Sequence, residues 1–168
     1  MTALPFFTIH QESFSLGGVD CTIETGKLAR RADCSIVLRQ GKTMILATLV
    51  TKAEENISRD TYLTVEYRER TAAIGNIPSN YFRRELRIAE HEIMISRSID
   101  RSLRSLFPPY YNRMVQIKVI VFGTEAGSDL ASLALLASCA LVSISPLPID
   151  TPVAGVRVFS TQGEFGLL

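Results

Sequence analysis

The chain has 168 residues, of which 46% are hydrophobic and 21% are charged, a composition typical of one folded domain with a sizeable core and unlike that of a disordered chain. Its 18 basic and 17 acidic residues give a net charge of +1, so no overall field indicates a nucleic-acid or membrane partner. An anion-binding surface would have to arise from local clustering. Arginine outnumbers lysine by 14 to 4, and arginine is favoured where a planar group contacts phosphate or carboxylate through two hydrogen bonds.

The cysteines and the apolar segments exclude several classes of protein. Cys21, Cys34 and Cys139 form no CxxC pair, which predicts buried thiols in a reducing compartment and neither a disulfide framework nor a zinc site. The first ten residues contain neither a basic segment nor the long apolar segment that follows it in a secretory signal, so we expect no such signal. Their lack of arginine argues against a transit peptide. The most apolar run, residues 130–144, is shorter than the roughly 20 residues of a membrane span and predicts a buried helix.

Most of the first half of the chain reads as β-strands separated by turns. Gly17-Gly18 lies between two short β-type segments and predicts a two-residue hairpin turn, and Gly41 marks the turn of a second hairpin. Residues 43–51 are mostly aliphatic or β-branched, which predicts a central strand covered on both faces. The predicted strands are residues 12–16, 19–24, 35–39, 43–51, 62–67 and 115–122.

Two helices are predicted in the second half. The first spans residues 85–106 and ends before Pro108-Pro109, because proline disfavours helix at its own position and at the one before. The second spans residues 130–144, with Ser128-Asp129 as its N-cap.

A last hairpin is predicted from residues 153–159 and 163–167. The order of hairpins, helix, strand, helix and hairpin predicts an α+β fold in α/β layers. A final strand with no element after it indicates that the chain stops inside its domain.

The first helix carries a stripe of arginines. At 100° per residue, Arg97, Arg101 and Arg104 fall within about 60° of one another. The apolar residues of the opposite face are Ile95, Ile99, Leu103 and Leu106. The pattern predicts a helix anchored by one face with three guanidiniums projecting from the other. The alternative is a solvated face whose arginines pair with acids such as Asp100.

The segment before this helix combines two aromatic and two basic residues, Tyr81, Phe82, Arg83 and Arg84, directly after Gly, Pro, Ser and Asn. Bases of single-stranded nucleic acid stack on such rings while arginines hold the phosphates. The segment therefore favours binding of single-stranded nucleic acid. The alternative places Tyr81 and Phe82 in the core at a helix N-terminus.

Several common site motifs are missing. His91-Glu92 resembles the start of a zincin motif, but no second histidine follows at the required spacing. No nucleophile-elbow, dinucleotide-binding or P-loop motif occurs. The loop at residues 123–127 precedes a helix as a phosphate-binding loop would, but Glu125 is its only charged residue and opposes anion binding, so we interpret it as a tight connection.

Six segments resemble the N-terminal RNase PH core of the polynucleotide phosphorylase family, and the resemblance runs in order from about residue 12 to the end of the chain. The most specific are the aromatic-Arg-Arg segment and the IDR-x-x-R-x-LFP pattern. The segments are IETGKLARRAD (23–33), QGKTMILAT (40–48), LTVEYRER (63–70), IPSNYFRRE (77–85), SRSIDRSLRSLFP (96–108) and PVAGVRV (152–158).

The resemblance implies an RNase PH core of the ribosomal-protein-S5-domain-2-like β-α-β-α architecture, with a mixed sheet packed against helices. It implies a ring-shaped homotrimer in which each subunit carries two RNase PH cores and KH and S1 RNA-binding domains. The implied enzyme is a polyribonucleotide nucleotidyltransferase, a phosphate-dependent 3′-to-5′ exoribonuclease that acts in mRNA degradation and RNA processing. Residues 1–168 would be the first core, incomplete at its C-terminal end, with the second core and the KH and S1 domains absent.

The resemblance also implies roles for individual residues. Tyr81, Phe82, Arg83 and Arg84 would form a constriction that grips single-stranded RNA. The helix arginines Arg97, Arg101 and Arg104 would support RNA handling and phosphorolysis. Mg²⁺ and inorganic phosphate would bind the second core, so we expect no catalytic residue, metal or cofactor in this chain and no phosphorolysis by it alone.

The expected partners are single-stranded RNA, two further copies in a homotrimer, and RNA-degradosome proteins such as an endoribonuclease or an RNA helicase. The expected location is the bacterial cytoplasm, with a mitochondrion or another organelle as the alternative. Two other functions stay open: a catalytic RNase PH-type core that processes tRNA 3′ ends, and a structural or oligomerisation domain. Glu125, where catalytic cores carry an arginine after Gly-Thr, speaks against the first.

The chain departs from the family pattern at several positions. Ser79-Asn80 replaces the usual Gly-Gly before the aromatic pair, Leu86 replaces a glycine, and Ser102 and Ser105 replace prolines. These changes affect the expected loop conformation more than its chemistry, because the rings and guanidiniums persist.

Overall fold

The computed structural model describes residues 8–53, 62–75, 77, 88–108, 110–149, 151–161 and 164–167. Within these ranges the chain forms strands, two α-helices and a short 3₁₀ turn at Thr71–Ile74. The strands are β1 (His10–Leu16), β2 (Val19–Thr25), β3 (Cys34–Gln40), β4 (Thr43–Ala53), β5 (Leu63–Glu69), β6 (Arg113–Gly123), β7 (Val158–Thr161) and β8 (Glu164–Leu167). The helices are α1 (Glu90–Arg104) and α2 (Leu130–Ser143).

The first four strands form two hairpins, as the sequence predicts. Leu16 lies opposite Val19 across a turn whose glycines, Gly17 and Gly18, have φ angles of 59° and 81°. This left-handed backbone favours glycine and is the geometry of a two-residue hairpin turn. The β3–β4 turn is equally short, and Gly41 in it has a φ of 55°.

The main sheet has six strands in the order β1-β2-β3-β4-β6-β5. Every neighbouring pair is antiparallel except β5 and β6, which run parallel and are joined through α1. Parallel neighbours require such a crossover, because their ends lie at opposite edges of the sheet. The result is the mixed sheet with helices of the predicted α+β fold.

Both helices contribute to one continuous core. The residues that alternate inward from β4 and β6, such as Ile45 and Ile117, are fully buried under them. Leu46 of β4 points to the other face and is only 7% exposed, whereas Val50 on that face is 43% exposed. The prediction of a central strand covered on both faces is therefore confirmed for the first part of β4 and not for its end.

The second half differs from the predicted boundaries in two places. Helix α1 begins at Glu90, and residues 85–87 of the predicted helix lie outside the described residues. The last hairpin forms, but residues 153–157 are not a strand. This segment is held by α2 instead: Gly155 fits so closely against Leu135 that a side chain there would collide with it, and Arg157 pairs with Asp129 at 3.0 Å.

Candidate nucleic-acid interface

Helix α1 is the element that carries the predicted arginine stripe. Ile99 and Leu103 are fully buried in the core, and Ile95 and Leu106 pack against it, which confirms the predicted apolar face. The helix runs beside β5 at the edge of the six-stranded sheet. It also packs against α2, and the rest of its surface faces the strand edge and solvent.

Two of the three predicted arginines project into solvent. Arg97 and Arg101 are exposed and, in the part of the chain that the structure describes, form no ion pair. They lie one turn apart, about 6 Å along the helix axis. Together with Met94, Ser98 and Ser102 they line a shallow, open groove. Such a surface offers two cations to an extended polyanion.

Arg104 takes a different position from the one the stripe predicts. Its Nε and Nη2 donate to the two oxygens of Asp100 at 3.0 and 2.7 Å, and Nη2 also donates to the carbonyl of Leu63 at 3.1 Å. The guanidinium carbon lies 5.2 Å from the ring centroid of Tyr62. The pairing with Asp100 is the one that the alternative anticipated and follows from the i,i+4 spacing, whereas the bond to Leu63 requires α1 to lie against β5. Contact of Arg104 with RNA stays a prediction.

The predicted grip of Tyr81, Phe82, Arg83 and Arg84 lies outside the described residues, as does the departure at Ser79-Asn80 and Leu86. Its role stays a prediction. The structure does describe the residues that flank this segment, and they show how β5 and α1 are joined.

Glu92 joins the end of β5 to the start of α1. Its carboxylate is buried, and its two oxygens accept one backbone N–H each: Oε1 from Glu69 at 2.7 Å and Oε2 from Ala89 at 2.8 Å. A carboxylate in the first helical turn also complements the positive end of the helix dipole. Sequence reasoning considered Glu92 only as part of an incomplete zincin motif. The sequence signal for this role is the place of Glu92 at the third position of α1. The predicted helix start at residue 85 obscured that position.

A second link at the same place uses side chains. The hydroxyl of Tyr67 donates to Oε1 of Glu69 at 2.7 Å, and Nε2 of His91 lies 3.1 Å from Oε2 of the same carboxylate. Burial and the neighbouring carboxylates of Glu69 and Glu92 raise the pKa of Tyr67 well above its ordinary range, so its hydroxyl stays protonated and donates. The first turn of α1 is therefore tied to β5 by two contacts, one from Glu92 and one from His91.

A small cleft lies between β5 and α1, lined among others by Val65, Ile88, Ile93 and Arg97. Its volume is about 190 Å³. Pockets that enclose small molecules span roughly 300–1,000 Å³. The cleft is too small to enclose a nucleotide, so a ligand of Arg97 would lie along the surface.

The loop before α2 is held by hydrogen bonds within the chain. Oε2 of Glu125 accepts the backbone N–H of Lys42 at 3.3 Å, and the Glu125 N–H donates to Oγ1 of Thr43 at 3.1 Å. Asp129 caps the helix as predicted, accepting from the Ser132 N–H at 3.4 Å. The N–H groups and dipole of this helix end thus face a carboxylate of the chain itself, and the described residues contain no group of three or more His, Cys, Asp or Glu side chains that could hold a metal ion.

Comparison with known proteins places this arrangement in a family. Residues 20–148 match the RNase PH family, described as the 3′ exoribonuclease family, domain 1. The chain belongs to this family. RNase PH relatives named polyribonucleotide nucleotidyltransferase include one from Amoebophilus asiaticus, 45% identical over 87% of this chain, and one from Xanthobacter autotrophicus, 40% identical over 96%. The chain spans about a fifth of the length of these relatives, 21% and 22% respectively.

Solved structures carry the same RNase PH fold at low sequence identity. Rice (Oryza sativa) Rrp46 matches 98% of this chain and 68% of its own, with a TM-score of 0.64 and 16% identity. A chain of an Archaeoglobus fulgidus exosome solved with RNA bound to the active site matches 95% of this chain and 65% of its own, with a TM-score of 0.60 and 12% identity. The predicted fold and the resemblance to polynucleotide phosphorylase are confirmed. Among the helices that the structure describes, none is both long and apolar enough to cross a lipid bilayer.

Proposed function

We propose that this chain is the RNA-binding, non-catalytic first core of a phosphate-dependent 3′-to-5′ exoribonuclease, a polyribonucleotide nucleotidyltransferase that acts in mRNA degradation and RNA processing. The observation that carries the proposal is the pair Arg97 and Arg101, exposed on a helix of an RNase PH fold. The names of the relatives and the RNA in the active site of the Archaeoglobus exosome support RNA as the ligand.

The arginine pair acts by neutralising the backbone of a single strand. Each phosphate that meets a guanidinium releases condensed counterions, which makes binding dependent on salt and independent of sequence. Tyr81 and Phe82 would stack on bases and Arg83 and Arg84 would hold phosphates next to them. Rings that stack on unpaired bases favour one strand over a duplex, so the surface would admit a 3′ end and reject double-stranded RNA.

The phosphorolytic step would take place elsewhere in the enzyme. Mg²⁺ and inorganic phosphate would bind a second RNase PH core, and the described residues of this chain offer no fitting ligand set for the metal. Glu125 and Asp129 place carboxylates where an anion would approach α2. This favours a first core that binds RNA without catalysis over a catalytic tRNA-processing core. The proposal includes a homotrimer, a cytoplasmic location and degradosome partners such as an endoribonuclease or an RNA helicase.

Fluorescence titration of the 168-residue chain with a labelled oligo(A) tests the binding. We expect the single strand to bind and an RNA duplex of equal length to bind more weakly. In a second assay with oligo(A), phosphate and Mg²⁺, we expect the chain to release no nucleoside diphosphate, while the full-length Xanthobacter autotrophicus relative serves as the positive control. Release by the chain alone would favour the catalytic alternative, and absence of binding would favour a structural domain.

The aromatic pair has its own test. Replacing both Tyr81 and Phe82 by alanine should weaken oligo(A) binding by roughly 1–3 kcal/mol for each base that loses its ring. The matched control replaces Tyr110 and Phe165, two aromatic residues that are 77% and 80% exposed elsewhere in the fold. Equal affinities for the two double variants would contradict a role of the Tyr81-Phe82 rings in the grip.

A further inference from the structure

We propose that Glu92, Ser96 and Arg104 form an edge clamp that fixes the rotation of α1, so that Arg104 is a positioning residue for Arg97 and Arg101 and not an RNA contact. The inference rests on the proposed function for its ligand. The name edge clamp refers to these three residues only.

The edge clamp covers the open edge of β5. The carbonyl of Tyr62 accepts the N–H of Val115 and therefore points toward β6. Successive residues of a strand direct their backbone groups to opposite sides, so the groups of Leu63, Val65 and Glu69 point away from β6. Such unpaired groups are a liability at the edge of a sheet.

Each of these three residues has one backbone group bonded by a side chain of α1. Nη2 of Arg104 donates to the carbonyl of Leu63 at 3.1 Å. Oγ of Ser96 donates to the carbonyl of Val65 at 2.6 Å. Oε1 of Glu92 accepts the N–H of Glu69 at 2.7 Å.

The spacing of the edge clamp explains what it does to the helix. Residues four apart are neighbours on a helix, each about 40° further around its axis, and positions 92, 96 and 104 belong to one such row, which runs obliquely along α1. Asp100 occupies the remaining position and holds the guanidinium of Arg104 through both of its oxygens. Three bonds along about 18 Å of helix resist rotation about its axis.

Rotation matters because Arg97 and Arg101 lie beside this row, within about 60° of Arg104 around the helix axis. Arg97 is one residue beyond Ser96, which bonds the strand, and Arg101 is one beyond Asp100, which holds Arg104. If the helix turned by the 100° of one residue, the exposed pair would move toward the strand or the neighbouring helix. The edge clamp therefore keeps both guanidiniums on the surface.

Charge-conserving variants separate positioning from contact. Lysine keeps the charge of arginine but not its planar fork. The control Arg39→Lys makes the same change at an exposed arginine of β3 and should bind oligo(A) within about twofold of wild type. Arg104→Lys loses the two-point bond to Asp100 and should weaken binding by about tenfold, the factor that corresponds to 1.4 kcal/mol. Ser96→Ala, a mild change in a helix, should also weaken binding, whereas Ser143→Ala, which removes an exposed hydroxyl of α2, should not.

A second readout needs no RNA. Amide hydrogen exchange of the 168-residue chain should be faster at Glu69 or Ala89 in Glu92→Gln, because an amide has one accepting oxygen where the carboxylate has two. If wild type binds no oligo(A), the proposed function fails, while faster exchange in Glu92→Gln would still support the edge clamp. Unchanged amide exchange in Glu92→Gln would overturn the edge clamp. So would RNA binding by Arg104→Lys and Ser96→Ala that is as tight as that of their controls.

Discussion

Glu66 on β5 and Lys118 on β6 lie directly opposite each other in the parallel strand pair, with Oε2 and Nζ 3.2 Å apart. Nε of Arg68 donates to the other carboxylate oxygen at 3.1 Å. Tyr67, between Glu66 and Arg68, points into the core, so this ionic cluster lies on the sheet face opposite to the helices. Arg68 first and then Lys118 lower the pKa of the Glu66 carboxyl.

This lowered pKa predicts how stability changes with pH. A carboxyl whose pKa is lower in the folded state contributes stability above its unfolded-state pKa, about 4.3, and loses it as the pH falls through the folded-state value. Glu66→Gln should therefore reduce the free energy of unfolding near pH 7 by about 1 kcal/mol or less, because solvent screens this half-exposed cluster. The difference from wild type should shrink below about pH 4.

Urea unfolding of both proteins at several pH values measures this difference. The control is the same substitution at Glu164, an exposed residue of β8. A difference between wild type and Glu66→Gln that stays constant down to pH 3 would contradict the ionic role of Glu66.

Loss of apolar packing on α1 should reduce the free energy of unfolding by more than the loss of the Glu66 ion pairs. Leu103 is fully buried against the sheet, so Leu103→Ala should lower the free energy of unfolding by about 2–5 kcal/mol, because it removes buried apolar surface and leaves a cavity. Ser102→Ala, at the neighbouring and exposed position, should change it by less than about 0.5 kcal/mol. Similar values for the two variants in chemical denaturation would mean that this face does not anchor the helix.

The thiols provide a test of how tightly the fold packs around three cysteines. Burial raises the pKa of Cys21, Cys34 and Cys139, so little reactive thiolate forms at neutral pH. A thiol reagent such as DTNB should react slowly with the folded chain and should titrate three thiols after unfolding in urea. Because Cys34 is only partly buried, it should react before the other two. Rapid reaction of all three in the folded chain would contradict the packing.

Local patterns in the sequence were enough to predict the strands, the hairpin turns and the apolar face of α1, because each depends on neighbouring residues. The parallel pairing of β5 with β6 was not predicted, since it depends on where a crossover helix leads the chain. Residues 153–157 were predicted as part of a strand, but Gly155 packs against Leu135 of α2 and Arg157 pairs with Asp129, the residue that caps α2.

The candidate site was predicted only in part. Helical periodicity placed Arg97, Arg101 and Arg104 in one stripe, and no local pattern distinguishes an arginine in solvent from one bonded to a strand edge. That distinction depends on the carbonyl of Leu63, which is about 40 residues away in the chain. Glu92 was missed for the same reason, because its role requires Glu69 to lie beside the start of α1.

The exposed pair of arginines is tested most directly by the salt dependence of RNA binding. The logarithm of the oligo(A) association constant is measured against the logarithm of salt concentration for wild type, for the double variant Arg97→Ala/Arg101→Ala, and for Arg39→Ala, which removes an exposed arginine of β3. We predict that the double variant binds more weakly and that its slope is shallower by about 0.7 for each phosphate that is no longer neutralised, while Arg39→Ala keeps the wild-type slope. A double variant with the affinity and slope of wild type would contradict binding of single-stranded RNA by this face of α1.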